Sequence, residues 1–452
     1  MRGTRRSLPA ILTMLLAGSA HAQGTVAFVN ASVIPVEPAG VLSNHTVVVR
    51  DGRIIALGPS ASTPAPQGAT VIDARGRFLT PGLAEMHGHV VANAHPQNPE
   101  WPQDVLFLYV AAGATTVRGM QGNPALLQLR ERVRSGELIG PRLYLSGPPI
   151  SGNNASDAAS AQQLVRAQKA AGYDLLKVHE GIPADAYQAL ARTAREVDIP
   201  WGGHVSVFVG VPGALAARQS TIDHLDDYID AAQRDDSPAL SMSGGQRQNT
   251  LPMHIDNAKI PQLARATKEA GVAVVPTMAL WEVLRGAHAP ESFADRPELR
   301  YVPPQMVQAW TNQARNANNN TPPEVARNEV AFRKTMLKAL VDAGVPVLMG
   351  TDAPQVFSVP GFSLHREIAV MAESGMTARQ ILESGTIAVA RHFNDAEAGS
   401  IAVGKRADLL LLDANPLDDS ANLGRISGVM VGGRWLSGEV IRERLGRIAA
   451  RY

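Results

Sequence analysis

The stretch LTPGLAEMHGHV, residues 79–90, closes an apolar run with two histidines one residue apart, His87 and His89. The whole chain of 452 residues holds only 12 histidines. Alternate residues of a strand point to the same side. A strand here therefore projects both imidazoles together, with Gly88 expected to leave room between them. Two neighbouring imidazoles at a strand end are half of a metal site. The other half has to come from elsewhere in the chain.

Outward from this stretch the sequence alternates. Strand-like runs occur at 84–90, 115–120, 142–148, 175–179, 201–205, 221–225, 272–278 and 345–352. Amphipathic segments such as AQQLVRAQKAAG and PADAYQALARTAREVD separate most of them, and several end in Ala-Gly, a helix C-cap signal. This pattern predicts an α/β fold, a (β/α)8 TIM-like barrel over residues 81–396. A doubly wound sheet would carry a glycine-rich phosphate loop after its first strand, and none is present.

Both ends of the chain are β-rich. Residues 25–78 read as Val- and Ile-rich strands with Asp51-Gly52 as a hairpin turn, and the same texture returns from Gly399 to Glu439 with Gly432-Gly433. Residues 23–80 and 397–440 are expected to form one small β-sandwich, followed by a C-terminal helix at 441–452. That helix is amphipathic, so it either caps the fold or packs on a second copy, which leaves a homo-oligomer open. The polar segments 231–257 and 287–323 follow barrel strands and read as lids or substrate walls. Disordered surface is the alternative reading for both.

Composition narrows the class. With 45% hydrophobic and 18% charged residues the chain is ordinary globular protein, and a formal charge of +1 argues against a nucleic-acid surface. There is no cysteine, so neither a disulfide nor a thiolate metal site is available. Arg2, Arg5 and Arg6 precede an apolar run at 8–17 and an A-x-A site at Ala20-His21-Ala22. Residues 1–22 therefore read as an export signal, giving a periplasmic or secreted mature chain. The apolar run is too short to span a bilayer, so no membrane association is expected after cleavage.

Barrel enzymes place their chemistry where strands end. Those ends carry His87 and His89, Lys177 in YDLLKVHEG, His204 in WGGHVSV, His224 in TIDHLDDY and Asp352 in LMGTDAP. Four imidazoles and a carboxylate suit Zn²⁺ or a similar divalent ion. A lysine ammonium would be repelled there. A neutral lysine instead combines with CO2 to give a carbamate, a bridging anionic ligand; pairing of Lys177 with an acid is the alternative. Such a centre polarises a carbonyl and lowers the pKa of a bridging water towards ~7. His179 would face the barrel two residues beyond Lys177, as a substrate contact or a structural histidine. Arg118 either clamps a substrate carboxylate or anchors the barrel by an ion pair. Tyr228 either reaches a substrate carbonyl or carboxylate, or packs. His365 is expected to pack.

TPGLAEMHGHV, GATTVRGMQG, GHV, DHLD, VVPTM, GTDAP and GSIAVGKRADLLLLDANP, in that order, resemble the signatures of the metal-dependent amidohydrolase superfamily across residues 25–435. The branch most resembled contains imidazolonepropionase-like enzymes and Xaa-Pro or Xaa-Arg dipeptidases. The resemblance implies a binuclear zinc centre: His87, His89 and Asp352 on one ion, His204 and His224 on the other, carboxylated Lys177 between them. It implies cleavage of the amide C–N bond of a small molecule, a dipeptide or N-acyl amino acid, with aromatic amides such as mycotoxins as a sub-case. A metal-bridging hydroxide would attack and Asp352 would shuttle the proton. Cyclic amide, lactone or phosphoester hydrolysis is the alternative on the same centre. A non-catalytic binding protein would be expected to have lost a ligand, and all six positions are filled.

Overall fold

The computed structural model describes residues 24–91, 95, 98–286 and 288–452. The expected export signal at 1–22 lies outside them. Near the N-terminus the Val- and Ile-rich runs form β1 (Val26–Val33), β2 (Leu42–Arg50), β3 (Arg53–Pro59), β4 (Thr70–Asp73) and β5 (Phe78–Pro81). Asp51 and Gly52, both at positive φ, turn β2 into β3, as the Asp-Gly pair predicts. The middle supplies β6 (Leu83–Gly88), β7 (Ala114–Gly119), β8 (Arg142–Leu145), β9 (Leu176–Val178), β10 (Trp201–Gly203), β11 (Thr221–Asp223) and β12 (Ala273–Val275). The C-terminal part adds β13 (Leu409–Leu412), β14 (Ile426–Val431) and β15 (Arg434–Ser437).

Strands from both ends share one mixed sheet, ordered β15-β14-β13-β5-β1-β2-β3, with β4 branching from β1. The strands of the expected sandwich are hydrogen-bonded into a single branched sheet. The branch arises because β1 pairs β4 along Val26–Val29 and then β5 at Ser32–Val33, while β2 runs antiparallel to β1 as a further partner. Its core mixes the termini: Phe28, Val47 and Ile54 pack with Leu409, Leu411 and Met430. The C-terminal helix begins earlier than expected, at Gly438–Ala449, and buries Ile441, Leu445 and Ile448. It packs on the helix Trp101–Ala111 and on β14 and β15, so it caps its own chain.

The short middle strands form two parallel sheets, β6-β7-β8 and β9-β10-β11-β12. Single bridges, Ser146 with Leu175 and Ile150 with Val178, join the ends of β8 and β9. At the other seam, residues 346–353 lie between β12 and β6. Val274 donates to the Pro346 carbonyl and accepts from the Leu348 N–H; Met86 donates to Met349, and Asp352 to His87. The expected eighth strand, 345–352, is therefore not regular. Pro346 has no N–H to give, and Asp352 at φ +65° leaves the extended region. The architecture is mixed α/β and barrel-like. Arg118 on β7 reaches Asp223 and Thr221 on β11 through the space the strands enclose.

Two glycines earn their place at strand ends. A Cβ at Gly203 (φ +123°) would sit 2.5 Å from the Val178 carbonyl, and the next residue is His204. A Cβ at Gly88 would meet the Tyr109 hydroxyl at 2.9 Å and Val117 at 3.0 Å. Gly88 therefore makes room for Tyr109 and Val117.

The polar segments after β11 and β12 are largely helical, not open loops. Gly244–Thr250 and Pro304–Asn320 are helices. The asparagine-rich second one has poor intrinsic propensity, but it buries Trp310 and Ala314, four residues apart on one face. Pro323–Asp342 follows, burying Phe332, Met336, Leu337 and Leu340. Among the described residues, no helix is long and apolar enough to cross a membrane.

Candidate metal centre

The ends of β6, β9, β10 and β11 and the segment 346–353 converge. Asp352 Oδ1 lies 2.9 Å from His89 Nε2 and 3.6 Å from His87 Nε2. The His224 ring sits 4.4 Å from that of His87 and 4.7 Å from that of His204, centre to centre. Lys177 Nζ is 3.1 Å from His87 Nε2. All six expected ligands thus meet in one largely buried cluster. His224 is brought in by backbone that few residues adopt: it has φ +62° and Leu225 φ +53°. Left-handed backbone costs an L-residue roughly 1–2 kcal/mol, so surrounding contacts must hold it.

Each of three rings is held at Nδ1. His87 Nδ1 donates to Asp223 Oδ2 at 2.6 Å, and His204 Nδ1 to Asp226 Oδ2 at 2.6 Å. Thr277 Oγ1 lies 2.9 Å from His224 Nδ1. A carboxylate only accepts, so Nδ1 carries the proton in His87 and His204, and Nε2 presents its lone pair to the cluster. His89 Nε2, His224 Nε2 and Asp352 Oδ1 are buried and make no hydrogen bond. Buried polar atoms are nearly always paired. Two imidazole nitrogens and a carboxylate oxygen left over in one cluster form a donor set for a divalent cation. His87, His89 and Asp352 offer ligand atoms all within 4.8 Å of one another.

Protonation agrees with that use. Burial brings His224 down to about 4 and holds His87 well below the ordinary imidazole value, so both are neutral, as ligation requires. Burial also opposes charge on His204, but the Asp226 carboxylate outweighs it and raises this imidazole. Burial favours a protonated Asp352, yet the imidazoles of His87, His224 and His89 around it favour its carboxylate and hold its carboxyl well below the usual range. It is a carboxylate at neutral pH. Burial lowers Lys177 from its ordinary value. Among the described residues Lys177 has no ion-pair partner within 4 Å, so the acid-paired alternative is not what the structure contains.

Asp223 accepts from both His87 and Arg118. Its replacement by asparagine would place an amide against the His87 Nδ1 proton and the guanidinium. Partners of this kind typically contribute 10–100-fold to metal affinity. Asp223→Asn is therefore expected to weaken divalent-cation binding by about 10–100-fold, read with zinc as the probe against a chromophoric chelator; unchanged affinity would remove Asp223 from the site.

Two of the expected substrate contacts are corrected. Arg118 is fully buried. It donates to the Met86 carbonyl, to Thr221 Oγ1 at 2.9 Å and to Asp223 at 2.6 Å. It is the interior ion pair, out of reach of a substrate carboxylate. Tyr228 is also buried, its hydroxyl 2.7 Å from Thr267 Oγ1, and belongs to the core. His179 remains exposed at the mouth, its ring 4.2 Å from that of His204. Its Nδ1 accepts from the Glu180 N–H at 2.9 Å. His365 packs, 3.1 Å from the Ala112 carbonyl. Asp223, Asp226 and Thr277 were not singled out from sequence. Asp223 and Asp226 flank His224 in IDHLDD, yet they serve His87 and His204, which no local pattern reveals. Glu180, His204 and Asp226 offer a second group of ligand atoms within 4.8 Å, although Asp226 already accepts from His204.

The family model described as Amidohydrolase family matches residues 78–436. Imidazolonepropionase of Caulobacter vibrioides (strain NA1000 / CB15N) is 25% identical over 411 residues, covering 85% of this chain and 92% of that enzyme. The solved structure of bottromycin amidohydrolase superposes with a TM-score of 0.74 at 24% identity, over 96% of this chain and 92% of that one. A Xaa-Pro dipeptidase solved with methionine in its active site gives 0.67 at 18% identity, over 92% of this chain and 100% of that one. These structural likenesses speak to the fold.

Proposed function

From the premise that this chain belongs to the amidohydrolase family, as a hydrolytic enzyme acting on carbon–nitrogen bonds, we propose that it cleaves the amide bond of dipeptides or N-acyl amino acids, aromatic amides included, at a centre of two divalent cations, most simply zinc. His87, His89 and Asp352 would hold one cation and His204 and His224 the other, with a CO2-derived carbamate on Lys177 between them. The observation that carries this reading is the group of buried atoms with no hydrogen bond, His89 Nε2, His224 Nε2 and Asp352 Oδ1. Bound cations would polarise the scissile carbonyl and make a water acidic enough to attack near neutral pH. Asp352, kept as a carboxylate, takes a proton from the attacking water and returns it to the leaving nitrogen. His179, exposed beside His204, touches the substrate. Arg118 and Tyr228 do not.

The same reading treats residues 81–396 as one (β/α)8 ring. The single bridges at both seams and the pairing of 346–353 with β12 and β6 support this. The basic, then apolar, then A-x-A N-terminus supports export to the periplasm or beyond. The deciding experiment is amine release from dipeptides, N-acyl amino acids and cyclic amides by the zinc-loaded mature chain. Turnover of a linear amide class supports the proposal. Turnover of cyclic amides or esters alone would keep the metal chemistry and replace the substrate class.

A further inference from the structure

His224 is held at three points. Its N–H donates to the Val275 carbonyl at 2.7 Å, its Nδ1 meets Thr277 Oγ1, and its own carbonyl accepts from Arg333 Nη1 at 2.6 Å. The third contact comes from the helix Pro323–Asp342, 109 residues further along the chain. It is the one of the three that holds the peptide between His224 and Leu225. With φ +62° at His224 and +53° at Leu225, the peptide between them has every local reason to rotate back to an ordinary conformation, and such backbone persists only where its surroundings over-determine it. A hydrogen bond from a guanidinium is roughly twice as strong as a neutral one.

Arg333 is itself rigidly placed. It is 6% exposed. Its guanidinium lies 3.6 Å from the Trp281 ring centre, and Nη2 donates to Glu329 Oε1 at 3.2 Å. Glu329 in turn accepts from Arg285 Nε at 2.6 Å. Stacking and the ion pair together aim one N–H at the His224 carbonyl.

We propose that Arg333 is a positioning residue for the cation that His224 binds, acting by locking the His224–Leu225 peptide in its left-handed form. This rests on His224 being a ligand. Released from Arg333, the peptide can rotate, and the ring no longer presents Nε2 to the cluster even with Thr277 intact. A purely structural Arg333 would lower thermal stability and leave metal binding alone.

The test is titration of the full metal-free chain with zinc alone against a chromophoric chelator, with circular dichroism as a check on folding. Arg333→Met is expected to weaken one of two zinc equivalents at least tenfold and leave the other within about threefold. His224→Ala should weaken that same equivalent. Arg333→Lys, whose ammonium still reaches the carbonyl, should recover part of the loss, and it carries the test if the methionine variant does not fold. Glu329→Gln, which loosens the ion pair that helps to aim Arg333, should weaken that same equivalent by less than Arg333→Met does. If His224→Ala loses an equivalent while Arg333→Met and Arg333→Lys both bind as the parent does, the inference is overturned and the ligand reading stands. If His224→Ala binds zinc like the parent, His224 is no ligand, and both fall.

Discussion

Asp352→Asn is expected to lower kcat for amide hydrolysis by about 10²–10⁴-fold, the usual contribution of a positioned general acid–base group, with zinc content largely retained. The substitution is unusually clean. Asp352 sits at φ +65°, a region that asparagine tolerates better than almost any other side chain, so the backbone at the end of the 346–353 segment should not move. The amide still offers an oxygen where Oδ1 lies 2.9 Å from His89 Nε2. What it cannot do is accept a proton near neutral pH. The native group, a carboxylate at neutral pH, has an oxygen that can take the water's proton transiently as the bond to the carbonyl carbon forms. Because the missing interaction develops during the reaction, the loss should fall on kcat more than on KM. Activity within tenfold of the parent, at full zinc occupancy, would take the proton-shuttle role away from Asp352.

Lys177→Ala is expected to lose both high-affinity metal binding and activity, and to regain part of each when a short carboxylate such as acetate is added. Lys177 is 4% exposed, its amine is lowered by burial, and its Nζ lies 3.1 Å from His87 Nε2. In the proposed centre a neutral amine there would attack CO2, lose one proton and become an anionic carbamate. Alanine leaves a gap that a free carboxylate can enter. Arginine cannot form the carbamate, since its guanidinium stays protonated, so Lys177→Arg should be as inactive as alanine and beyond rescue. Bicarbonate should also speed zinc uptake by the metal-free parent. If the parent takes up zinc independently of CO2 and acetate rescues nothing, Lys177 acts as a plain amine and the bridging carbamate is wrong.

Much of the frame is legible in local pattern. The alternation of apolar runs with amphipathic segments marks β6 to β12 to within a few residues. Asp51-Gly52 marks the β2–β3 turn because the turn demands positive φ at adjacent positions. The weaker places have local causes too. The run 345–352 has strand composition, but Pro346 and the left-handed Asp352 prevent a regular ladder. The run around Asn318–Asn320 has loop composition, yet Trp310 and Ala314 bury one stripe and tertiary contact makes a helix of it.

By itself, the sequence determined the order of the elements and set six metal-competent side chains at the ends of predicted strands, because periodicity and strand ends are properties of neighbouring residues. Only the tertiary structure decided what each of those side chains faces. Asp223 and Asp226 lie beside His224 in the chain, yet one holds His87 and the other His204. Arg118 turns inward to an ion pair, Tyr228 sinks into the core, and Arg333 reaches back to grip the His224 carbonyl. Each of these is a contact between distant positions. Close packing within the strands and their covering helices selects it, and no local spacing encodes it.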